Sequence, residues 1–71
     1  MKLKEYLKKK KITQKAFAEK LNLHRFSILR YTWGEVPAPR VAWKIFNETD
    51  GQVSFEEMGY EAPPKNPLKD I

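Results

Sequence analysis

The sequence predicts an all-α fold, a small bundle of about five short helices. Three observations predict it. Apolar residues recur at three- and four-residue spacing through most of the first 59 positions, no run alternates apolar and polar residues as a half-buried strand would, and Asn22, Gly34, Pro37 and Gly51 fall between the periodic runs. Seventy-one residues make one small domain, in the size range where a single modest core is just sufficient. There is no cysteine, so neither a disulfide framework nor a thiolate metal site can hold the fold, and the apolar faces must do it.

Leu3, Tyr6 and Leu7 stand at i, i+3 and i+4 between lysines, which predicts a first helix from Lys2 to about Lys10. The lysines from Lys8 to Lys11 read as a solvated helix end where cations offset the C-terminal dipole, or as a row of phosphate contacts; the two readings are compatible. Thr13 suits the N-cap of a second helix over Gln14 to Leu21, with Phe17, Ala18 and Leu21 as its buried stripe. Asn22 stands at the turn, where a left-handed backbone is needed, and Leu23 anchors it. A third helix from Arg25 to about Thr32 then buries Ile28 and Tyr31 and leaves Arg25, Phe26, Leu29 and Arg30 outside or at the margin. His24 stands at its cap, where Ser, Thr, Asp or Asn would serve better. Trp33 is read either as a lid on the core or as a phosphate or sugar contact.

Gly34 ends that helix. Pro39 then suits the first position of a fourth, which carries Val41, Ala42 and Ile45 inward and runs to about Asp50, with Gly51 as its C-cap. Trp43 and Phe46 find no place in a minimal core, which makes them a candidate dimer or partner surface. Ser54 and Glu57 have capping-box spacing, predicting a fifth helix of one or two turns ending near Gly59. Residues 1–59 are thus the domain, and residues 60–71, with their prolines and scattered charges, an extended tail.

The net charge of +5 is placed unevenly: residues 1–40 carry eight Lys and three Arg against three Glu, whereas residues 41–71 carry three Lys against six acids. A one-sided basic field of this kind attracts polyanions such as nucleic acid or an anionic membrane surface. No apolar run approaches the roughly 20 residues that span a bilayer, and the lysine-rich start lacks the apolar stretch of a signal peptide, so a cytoplasmic protein without a membrane partner is expected. With no Cys, an isolated His24 and no paired carboxylates in a plausible cleft, nothing is available for general acid–base chemistry or metal binding; neither enzyme activity nor a cofactor is expected.

Thr13, Gln14, Ala18, Leu21, Asn22, Leu23, His24, Ile28, Arg30, Tyr31 and Gly34 fall, with correct gaps, on the pattern of the helix-turn-helix domains of phage repressors and Cro, and the chain resembles that XRE-like family. It departs from the pattern at Asn22, where Gly is usual, and at His24, where Ser or Thr is usual. Pro37, Pro39, Val41, Ala42, Ile45, Thr49, Gly51, Val53, Ser54 and Met58 extend the likeness towards the compact Cro-like and YdaS-like members. The resemblance implies a lambda-repressor-like DNA-binding domain of prokaryotic or phage origin, a transcriptional regulator that places residues 25–32 in the major groove of double-stranded DNA. It implies base contacts from Arg25, Phe26, Ser27, Leu29 and Arg30. Their chemistry agrees: Arg can bond two acceptors of guanine, Ser suits either base type, and Phe or Leu can cover a thymine methyl. It also implies a phosphate contact from Gln14; Lys11, Lys15, Thr32 and Arg40 are the candidates for further backbone contacts. A homodimer on a palindromic operator is the expected assembly, and an antitoxin-like protein-binding module using the same fold is the alternative.

Overall fold

The computed structural model describes residues 1–67. Four α-helices, α1 (Leu3–Lys10), α2 (Gln14–Leu21), α3 (Arg25–Thr32) and α4 (Pro39–Glu48), follow one another, with no strand among the described residues. The all-α expectation holds, with one correction: residues 54–59 form a hydrogen-bonded turn and not a fifth helix. The reason is length. The capping box is present, with the Ser54 hydroxyl accepting from the Glu57 N–H at 3.3 Å, but Gly59 already takes a left-handed backbone at φ 106°. A start and a stop five residues apart leave room for little more than the Met58 N–H to Ser54 carbonyl bond of 3.2 Å.

Every helix ends in one way. The residue after the last turn adopts positive φ, and the next N–H reaches back five residues, closing Ile12 to Leu7, Leu23 to Ala18, Glu35 to Arg30 and Gly51 to Phe46 at 2.8–3.1 Å. This is the Schellman arrangement, which satisfies carbonyls that the helix leaves unpaired. Tyr60 and Phe55 repeat it at the final turn, at 2.9 Å. Positive φ is found at Lys11, Asn22, Gly34, Asp50 and Gly59 at the turns themselves, and at Gly51, φ 79°, directly after Asp50. Asn22 takes the role expected of it. At the end of α4, Asp50 rather than Gly51 occupies the position, and α4 stops at Glu48.

The core is one cluster. Leu3, Tyr6 and Leu7 of α1, Phe17, Ala18 and Leu21 of α2, Ile28 of α3, and Ala42 and Ile45 of α4 meet Val53, Phe55 and Met58 from the closing turn. Thr49 is buried beside them, its hydroxyl donating to the Ile45 carbonyl at 2.8 Å and accepting from the Val53 N–H at 3.2 Å. Pairing the buried hydroxyl in both directions offsets the cost of removing it from water. Tyr31, Leu23 and Val41, expected inside, pack against the cluster half-buried.

Trp43 and Phe46 do have places in this core, a correction to the sequence reading. Their rings meet the Phe55 ring at centroid distances of 4.6 Å each, and Trp43 Nε1–H donates to the Pro64 carbonyl at 2.9 Å. Tyr60 joins the cluster at 6.4 Å from Phe55 and donates its hydroxyl to the Pro37 carbonyl. Residues 60–64 therefore lie on the domain rather than apart from it. Of the expected tail, residues 68–71 fall outside the described residues.

Candidate nucleic-acid interface

Helices α2 and α3 are held across a three-residue turn, Asn22, Leu23 and His24. The 2.8 Å bond from Leu23 N–H to the Ala18 carbonyl fixes its path, and Thr13 caps α2 by accepting from the Ala16 N–H at 3.1 Å. His24 caps α3 through its imidazole: Nδ1 accepts from the Phe26 N–H at 3.2 Å. The expected weakness at this cap is met by a ring nitrogen in place of a side-chain oxygen.

Ile28 is fully buried, and helical geometry of 100° per residue sets Phe26, Arg30 and Trp33 in a stripe on the far side of α3. Phe26 is 55% exposed and Trp33 76%. Trp33 is therefore not a lid on the core. Arg25 is exposed at the first turn, with its guanidinium carbon 5.2 Å from the centroid of the Phe26 ring. Leu29 and Ser27 are half-buried at the two margins of the stripe. Arg30 Nε stands 3.5 Å from Glu35, a pairing that the Schellman turn creates by bringing those two positions together. Burial, followed by the neighbouring Glu35 carboxylate, pushes the Tyr31 phenol above its usual pKa, so that side chain is neutral on the inner face.

The expected phosphate contacts are placed less uniformly. Gln14 is half-buried at the first position of α2, and Lys11, Lys15 and Arg40 are exposed. Lys15, Glu19, His24 and Arg25 border one shallow groove of about 330 Å³ between α2 and the first turn of α3. Thr32 faces elsewhere: it is half-buried, its hydroxyl donates to the Leu29 carbonyl at 2.6 Å, and it borders a hollow shared with Lys2, Leu3 and Lys4. No hydrogen bond joins Gln14 to Arg25 among the described residues.

The charges at the helix ends form a pattern. Helix α1 carries Glu5 beside Lys4 in its first turn and Lys8, Lys9 and Lys10 in its last, where cations suit the dipole. Helices α2, α3 and α4 have no acid in their first turns and carry Lys15, Arg25 and Arg40 there instead. Cations at the positive end of a helix are unfavourable alone and suit an anion bound between them. Among the described residues, no helix is long and apolar enough to cross a membrane.

No curated protein and no solved structure gave a significant match to the chain. A family model described as helix-turn-helix matches residues 3–55, well over half of the chain. That span takes in all four helices, the turn at Asn22 and the exposed face of α3, and the chain belongs to the XRE-like helix-turn-helix family of DNA-binding regulators.

Proposed function

We propose that the protein is a sequence-specific transcriptional regulator of the phage repressor or Cro type. In this reading α3 enters the major groove of an operator, and bound protein blocks or recruits polymerase. The observation that carries it is the reversal of charge at the N-termini of α2, α3 and α4, since phosphates flanking a groove are the anions those cations lack. An eight-residue helix is about 12 Å long, matching the width of the major groove. Arg25, Phe26 and Arg30 then meet base edges with Leu29 and Ser27 at the margins, while Gln14, Lys11, Lys15 and Arg40 hold backbone phosphates. Trp33, exposed at the helix end, joins the backbone contacts. No cofactor is needed.

One such helix covers a half-site, so specific affinity calls for two copies on a palindrome with half-sites about 34 Å apart. A dimer surface at Trp43 and Phe46 would have to form on the parts of those rings that Phe55 and the 60–64 segment leave open.

Selection of bound sequences from a random duplex pool, followed by a salt series, tests the reading. Arg25→Ala is expected to cost about 1 to 3 kcal/mol on the selected site and to relax one position of it. Lys15→Ala should weaken all duplexes alike and make the salt slope shallower. Selection that returns no preferred sequence overturns the proposal, as does an Arg25→Ala variant that keeps the parental preference.

A further inference from the structure

The first turn of α3 carries a stack of side chains that the DNA reading uses only in part. The His24 ring lies against the Phe26 ring, with centroids 5.0 Å apart and planes at 24°, while its Nδ1 holds the Phe26 backbone N–H. The Arg25 guanidinium packs against that ring, 5.2 Å from its centroid. Phe26 is thus ordered at the surface by its neighbours rather than by the core. Residues 24–33 contain no Asn, Gln, Asp or Glu. Helix α3 has no amide to pair with adenine and no carboxylate to accept from cytosine, which leaves arginine for guanine, apolar contact for the thymine methyl, and at the margin the half-buried hydroxyl of Ser27, which suits either base type.

Resting on the DNA reading above, we propose that His24, Arg25 and Phe26 act as one unit that reads a guanine next to a thymine. The guanidinium bonds guanine O6 and N7, and the Phe26 ring covers the 5-methyl of the thymine in the adjacent pair. Successive bases on a strand are 3.4 Å apart. A guanidinium centred 5.2 Å from the ring centroid can lie in the plane of one pair while the ring, with its own radius, reaches the next. His24 is the positioning residue, since its stack and its cap prevent the ring from folding away from the groove.

The test uses the full chain and the best duplex from the selection. Replacing the thymine beside the guanine by deoxyuridine removes only the 5-methyl. The parent should bind the uracil duplex about fourfold more weakly, the loss of one buried methyl group. Phe26→Ala should bind the thymine duplex more weakly than the parent and show no further loss with uracil; because Phe26 is exposed, its circular dichroism melt should match the parent. Sequence preference with equal affinity for the two duplexes overturns this inference and leaves the DNA reading standing. A Phe26→Ala variant that still loses fourfold with uracil also overturns it, whereas no preference at all overturns both.

Discussion

His24 holds a structural role, the cap of α3, beside the positioning role proposed for it. Its Nδ1 serves as a helix cap only through a lone pair, so the capping imidazole carries no proton on that nitrogen. His24→Ala should lower the unfolding free energy by about 1 kcal/mol, the usual worth of a cap, whereas His24→Ser restores an oxygen acceptor and should match or exceed the parent. Urea denaturation separates them, and equal losses in the two variants would mean that the cap contributes nothing. Arg30 raises a different question, because Glu35 already holds it. That pair is about half exposed on both sides, and exposed pairs contribute about 0 to 1 kcal/mol, less than the roughly 1 to 3 kcal/mol of a bidentate guanine contact. In the proposed complex the ion pair would therefore give way to DNA at small cost. Arg30 is better described as parked on Glu35 than as consumed by it.

The helices are short, eight to ten residues, and each depends on its ends as much as on its length. Asp50 is the weakest of those ends. It holds a left-handed backbone at φ 53° without being glycine, and places a negative charge at the negative end of α4. Asp50→Gly should raise stability by about 1 kcal/mol, and Asp50→Asn by the smaller part due to charge alone. Thermal melts of the two variants check this, and a lower melting temperature for Asp50→Gly would refute the strain account. Helices α1 to α4 were legible in the sequence because each announces itself within its own residues: Leu3, Tyr6 and Leu7 by spacing, Thr13 as a cap, Pro39 at a first position. The fifth element was misread for a reason equally local. Ser54 and Glu57 do form their capping box, but a start signal says nothing about whether the stop at Gly59 comes too soon.

At the scale of the whole molecule, legibility fell with sequence separation. The inner face of α3 and the exposure of Arg25 and Phe26 follow from helix period alone, whereas the Trp43 and Phe46 environment depends on Phe55 and Pro64, positions no local pattern connects. Trp33, by contrast, was within reach of the period, which sets it with Phe26 and Arg30 opposite Ile28. Phe55 was hidden inside a capping box read for its polar ends, and it is the residue that joins Trp43, Phe46 and Tyr60 into one cluster. Trp43 therefore tests how the molecule is held together. Trp43→Ala should cost about 2 to 3 kcal/mol in denaturant, below the range for a fully buried Trp because the ring is only partly covered. Trp43→Phe keeps apolar area but gives up the bond to the Pro64 carbonyl, and should cost about 1 kcal/mol. Sedimentation of the same variants distinguishes the cluster from a subunit interface: an intramolecular role predicts lost stability at unchanged mass. A fall in mass with unchanged stability would instead place Trp43 between two copies of the chain and make the 60–64 segment its displaceable cover.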